Sequence, residues 1–186
     1  MAVLNIWLMA ALTMIFWMQS GFALLECGAV RLKNAQGILM KNMFDSCVGC
    51  LGFWLIGYGI AWGNPNRQDN YGFLGTYAGY YAGADFRYIE TDEYKRFIFQ
   101  YAFAATAATI VSGALAERCQ ITSYVFFSFF MTSFVYSVVV FWVWCGGWLK
   151  SYGFIDFAGS SVVHMTGGSC ALWGAYILGE RYGKEK

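Results

Sequence analysis

The segment MAVLNIWLMAALTMIFWMQSGFALL, Met1 to Leu25, runs for 25 residues without one charged side chain. About 20 predominantly apolar residues in a helix suffice to cross the hydrocarbon core of a bilayer. No basic stretch precedes the apolar run, as a cleaved secretory signal requires, so the segment reads as a retained first span. Four further runs follow, at about 43–63, 97–116, 122–149 and 157–179. Inside lipid every backbone amide needs a partner within the membrane, which restricts spanning structures to helices and closed barrels. Barrel strands alternate in polarity and are about half as long as these runs, which excludes a barrel. The expected fold is all-α: a polytopic membrane bundle of five transmembrane helices, with residues 1–186 as one transmembrane domain.

Composition points the same way. Hydrophobic residues make up 59% of the chain and charged residues 12%, against roughly 25% charged in soluble domains. A net charge of +1 offers no basic surface to nucleic acid. The six cysteines lie in or beside apolar runs and read as small buried residues rather than a disulfide framework. Cys47 and Cys50 form a C-x-x-C pair, but with one histidine in the chain and no second cysteine pair, neither a metal site nor a haem or other cofactor is expected.

Basic residues set the orientation. Arg31, Lys33 and Lys41 crowd the first connection, Arg118 sits in the third, and Arg181, Lys184 and Lys186 close the sequence. These ends are expected to be cytoplasmic, placing the N-terminus outside. The opposite side carries Arg67, Arg87, Lys95, Arg96 and Lys150, mostly in a tyrosine-rich loop read as an aromatic lid at the membrane surface. Glycines in the second run and Ala102, Ala104, Ala105, Ala107 and Ala108 in the third predict close helix packing.

Polar groups inside spans are costly and therefore informative. His164 is the only histidine and falls in the fifth run. It is either a residue hydrogen-bonded to a neighbouring helix or a pore-lining imidazole kept neutral by desolvation. Asp156, just before this helix, suits an N-cap, and a fixed anion there would also lower the cost of dehydrating an incoming cation. Trp144 belongs to an interfacial aromatic belt or forms a cation-π platform. Phe99 and Phe103, four residues apart, share one helical face as packing residues or as a hydrophobic gate. Glu117 with Arg118 reads as a local ion pair or a contact with the C-terminal helix dipole, and Glu26 as a cap or paired group near the inner end of the first helix.

The order of motifs is more specific than any one of them. Asp156-Phe-Ala-Gly-Ser-Ser-Val-Val-His164-Met-Thr-Gly-Gly resembles the signature of ammonium transporters of the Amt/Mep/Rh superfamily, in its Amt branch. Met18-Gln-Ser-Gly-Phe-Ala-Leu-Leu-Glu26, the pairs Lys33-Asn34 and Lys41-Asn42, Gly57-Tyr-Gly, and Gly113-Ala-Leu-Ala-Glu-Arg118 resemble the same family in the same order. The resemblance implies that Asp156 organises an outer ammonium site walled by Trp144 and Phe103, that Phe99 and Phe103 gate the path, and that His164 is one of two pore histidines. It further implies a plasma-membrane address, a homotrimer, and a subunit of two inverted five-helix halves, of which this sequence supplies the first. The second half would bring the partner histidine and the rest of the outer site, and one half should not conduct. Two other readings stay open: a half-length subunit that assembles with another half or regulates an oligomer, and a membrane redox protein using Cys47, Cys50 and His164.

Overall fold

With no water in the hydrocarbon to satisfy the backbone, the long apolar runs close their own hydrogen bonds as helices. The computed structural model describes residues 2–63, 72–86 and 93–183, and every regular element among them is helical. Helix α1 covers Ala2–Ala29, α2 Leu32–Trp62, α3 Glu93–Leu115 and α4 Ile121–Ser151, while α5 covers 160–178. Among the described residues, α1 to α4 are the helices long and apolar enough to cross a membrane. Helix α5 is of spanning length, six π-helical residues followed by thirteen α-helical ones. Its serines, its glycines and His164 dilute its hydropathy, so by composition it stands apart from the other four.

Helix α3 is the hub. Its apolar stretch is 67% buried, against 6% for α1, which lies at the periphery with Val3, Leu4, Ile6 and Trp7 facing outward. The alanines of α3 let neighbouring helices approach: Ala102, Ala104, Ala105, Ala107 and Ala108 are all buried. Helix α5 lies against them so closely that a Cβ on Gly167 would sit 2.9 Å from the Ala107 carbonyl oxygen. Between α2 and α4 the approach is tighter still, since a Cβ on Gly57 would come within 2.6 Å of the Thr132 carbonyl oxygen. The small-residue pattern of the sequence therefore has a packing cause.

At one end of the bundle, the described part of the long loop packs on the end of α2. The Tyr58 ring lies 5.4 Å from Tyr80 and 5.2 Å from Phe86 between centroids, and backbone bonds tie Gly75 to Ile60 and Tyr77 to Gly63. Arg67 and Arg87 lie outside the described residues, as do Lys184 and Lys186.

At the other end, Glu117 departs from the expected pairing with Arg118. Its carboxylate accepts from Asn34 Nδ2 at 2.6 Å and Arg31 Nε at 3.1 Å, and pairs with Arg181 at 3.6 Å. Arg118 instead donates to the carbonyls of Ala175 and Gly179. The reason is conformational: Glu117 lies two residues past the end of α3 at φ +62°, in the turn where its side chain meets the α1–α2 connection and the segment after α5. The bond from Asn34, with those from Arg31 and against the opposing effect of burial, holds its carboxyl down to about 2.

Candidate functional site

The segment between α4 and α5 is organised by one carboxylate. Gly159 adopts φ +88°, a conformation that suits glycine, and the turn presents the first N–H groups of α5 to Asp156. Asp156 Oδ1 accepts from Gly159 N at 2.7 Å and Ser160 N at 3.1 Å. Oδ2 accepts from Ser161 N at 2.9 Å, Val162 N at 2.8 Å and Ser161 Oγ at 2.6 Å. The N-cap reading of Asp156 is thus realised from three residues ahead of the usual position, with almost the whole first turn satisfied at once. Burial works to raise the carboxyl pKa, but the bonds from Ser161, Val162 and Gly159 outweigh it and hold the value down to about 2.

The same residue positions Trp144. The indole Nε1–H donates to the Asp156 carbonyl oxygen at 2.9 Å, and Lys150 Nζ donates to the Trp144 carbonyl oxygen at 2.9 Å. Trp144 lies in a π-helical turn, Phe141–Cys145, just before α4 breaks at Gly146, whose φ is +143°. His164 sits in the second such turn of this region, Ser160–Met165. A π turn inserts an extra residue and re-aims the side chains around it, and such turns are frequent at functional sites. Trp144 and Asp156 together line an open depression of about 320 Å³, shared with Lys150 and Phe154.

Phe103, on α3, meets the Trp144 ring at 6.2 Å with the planes 67° apart, and Phe99 meets Phe103 at 5.3 Å and 82°. The two phenylalanines therefore share a helical face as expected, but they touch edge to face rather than stacking. Aromatic contact is continuous from Phe99 through Phe103 to Trp144, whose indole is pinned to Asp156. His164 follows eight residues after Asp156 and is exposed, with Nδ1 3.3 Å from the Gly159 carbonyl oxygen. Its neighbours Met165, Leu172 and Trp173 are exposed as well. In a bundle whose other polar side chains are largely turned inward, an imidazole on an open apolar face is the feature most in need of a covering partner.

Sequence reasoning missed the Trp144–Asp156 tie, the π turns and Ser161. Only Ser161 left a readable signal, as a hydroxyl in the run Gly159-Ser-Ser just after an Asp. The six cysteines are free thiols.

A helical bundle with several spans, a glycine-lined packing core and a polar site built where two helices are interrupted is a multi-pass membrane protein. Residues 6–186 match the Ammonium Transporter Family, and the chain belongs to that family. It is 45% identical to "Putative ammonium transporter 1" of Caenorhabditis elegans over 91% of this chain and 32% of that protein. It is 43% identical to "Ammonium transporter 1 member 3" of Solanum lycopersicum over 96% of this chain and 39% of that protein. Among solved structures, one described as "Sensor Amt Protein" aligns with a TM-score of 0.86 at 35% identity, covering 95% of this chain and 44% of that one. Mep2 of Candida albicans aligns with a TM-score of 0.79 at 29% identity. The chain thus spans between about a third and two fifths of the length of the curated relatives it matches.

Proposed function

We propose that this chain is the first five-helix half of an ammonium conduit in the plasma membrane, with its N-terminus outside and α5 as its fifth span. The observation that carries this reading is the aromatic run Phe99, Phe103, Trp144 joined to the Asp156-capped helix that bears His164. At about 1.5 Å per residue, α5 reaches close to the thickness of the hydrocarbon core, enough to cross it.

Ammonium is held at the Trp144 face by cation-π attraction, which in a desolvated site is worth about 2 kcal/mol. Phe103 forms a second wall. Asp156 acts indirectly: five donors already occupy its carboxylate, so it fixes the indole and the start of α5 rather than coordinating the cation. A bare ammonium ion has no full replacement for its hydration in a narrow apolar passage, and loss of a proton to water at the outer site removes most of that cost. Ammonia then passes the edge-to-face pair Phe99 and Phe103 and reaches His164, whose ring nitrogens supply the hydrogen-bonding groups of the path.

The exposed face around His164 is where a second, inverted half completes the pore, supplying the partner imidazole and the remaining contacts of the outer site. Three such subunits form the assembly. The test is uptake of labelled methylammonium by cells expressing either the complete protein or residues 1–186 alone. Uptake is expected from the complete protein only. Uptake by residues 1–186 at a comparable rate per molecule would contradict the need for a second half.

A further inference from the structure

At the Glu117 end of the bundle, ionisable groups from three helices meet away from the aromatic site. Glu26 comes from α1, Lys41 and Asp45 from α2, and Tyr124 from α4, each no more than 5% exposed. Helix α3 contributes only neutral groups, Ser112 and the Ala108 carbonyl. Glu26 Oε2 accepts from Asn42 Nδ2 at 3.0 Å and Ser112 Oγ at 2.8 Å. Asp45 Oδ2 accepts from Tyr124 OH at 2.7 Å. Lys41 Nζ donates to the Ser112 carbonyl at 2.7 Å and lies 4.6 Å from the centre of the Tyr124 ring.

The charges do not balance. Two carboxylates face one ammonium group; Arg181 is engaged with Glu117 and Arg118 with the carbonyls of Ala175 and Gly179, while Lys33 stands exposed at the mouth of the adjoining cavity. Cys119, at the edge of the cluster, carries no positive charge. An uncompensated charge buried at this depth costs several kcal/mol, and a carboxyl that takes up a proton avoids that cost. Asp45 Oδ1 and Glu26 Oε1 are both buried without a hydrogen-bond partner, so each carboxyl has an oxygen free to hold the proton, and Ser128 Oγ, also unpartnered, lies beside Asp45. A proton on Oδ1 can be donated to Ser128 Oγ, and an ionised Oδ1 can accept the Ser128 hydroxyl proton, so Ser128 serves both states of the carboxyl. Glu26 is the weaker candidate, because two donors already stabilise its charged oxygen whereas Asp45 receives one.

We propose that Asp45 carries a proton at neutral pH, and that Asp45, Glu26 and Lys41 form a proton-binding site on helices other than the one bearing His164. Access is through a cavity of about 470 Å³ that opens among Lys33, Arg118 and Gln120 and reaches Lys41 and Tyr124. The proton arrives from cavity water, binds Oδ1 and leaves by the same route, so the cluster alternates between zero and one negative charge with no other bond made or broken. This site stands whether or not the aromatic run carries ammonium.

Infrared spectroscopy of the complete protein in lipid, titrated with pH, tests the assignment. Wild type should show the carbonyl stretch of a protonated carboxylic acid near pH 7, fading as pH rises. Asp45→Asn should abolish that band and Glu26→Gln should leave it. Tyr124→Phe removes a bond that favours the ionised form, so the titration midpoint should rise by about one unit, a tenfold gain in proton affinity. That variant keeps the ring in place, reads out without Asp45→Asn having to fold, and leaves the buried carboxyls Glu93 and Asp156 untouched. Absence of the band in wild type, its survival in Asp45→Asn, or an unmoved midpoint in Tyr124→Phe would overturn the proposal.

Discussion

Replacing Asp156 by Asn removes a charge while keeping size and shape, and the cost can be worked from the hydrogen bonds. The amide oxygen can still accept from Gly159 and Ser160, but the amide nitrogen must face the N–H groups of Ser161 and Val162 and the Ser161 hydroxyl. The hydroxyl can turn to become an acceptor; the two backbone donors cannot. At about 1–3 kcal/mol for each buried donor left unpaired, with partial relaxation, the loss comes to about 2–4 kcal/mol. The lowered carboxyl gives an independent figure. A fall from 3.8 to about 2 corresponds to about 2 kcal/mol of preference for the ionised form in the folded state. Because the folded value is the lower one, this contribution is complete above about pH 4 and is lost as pH falls toward 2. Denaturant unfolding of the purified complete protein, wild type and Asp156→Asn, checks both points. A stability difference below 0.5 kcal/mol, or wild-type and variant profiles that run parallel between about pH 4 and 2, would refute the claim that this carboxylate holds the start of α5.

Trp144→Phe keeps a ring for the cation but loses the indole bond to the Asp156 carbonyl; apparent substrate affinity measured by uptake should fall by about three- to tenfold with expression unchanged. Gly57→Ala should destabilise the bundle by about 1–3 kcal/mol, because its Cβ meets the Thr132 backbone, whereas Gly21→Ala, with open space around it, should be neutral or stabilising in the same unfolding assay. Glu117→Gln should weaken the junction of Arg31, Asn34 and Arg181 by about 1 kcal/mol at neutral pH, and the difference from wild type should vanish as pH falls from 4.5 toward 2, read by thermal unfolding.

Most of the fold was legible because lipid makes local sequence decisive. An uncharged run as long as Met1–Leu25 has no alternative to a helix, and the observed Ala2–Ala29 extends it by a single turn. The second run began too late in the sequence reading, at 43 instead of 32, because Lys41, with Asn42 beside it, was placed in the first connection. Both are helical, and each finds a partner on another helix, a tertiary fact that hydropathy does not carry. Of the candidate site, the residue types and their order were readable, and so was the shared face of Phe99 and Phe103. The edge-to-face geometry of that pair, the π turns under Trp144 and His164, and the tie from Trp144 to the Asp156 backbone depend on how α3, α4 and α5 meet. The misassigned partner of Glu117 has the same origin, a φ of +62° just past the end of α3 with no signature in its neighbours.

The account turns on His164 as the imidazole of an ammonium path rather than a packing residue. Within this half the ring is exposed, so truncation removes little contact with α1 to α5, and reading protein level beside flux separates folding from transport. The decisive measurement is labelled methylammonium uptake by the complete protein carrying His164→Ala, normalised to the amount in the membrane. The account predicts normal protein levels with flux or its selectivity changed by at least tenfold, about 1.4 kcal/mol in the barrier. Wild-type uptake and selectivity at wild-type protein levels would contradict it.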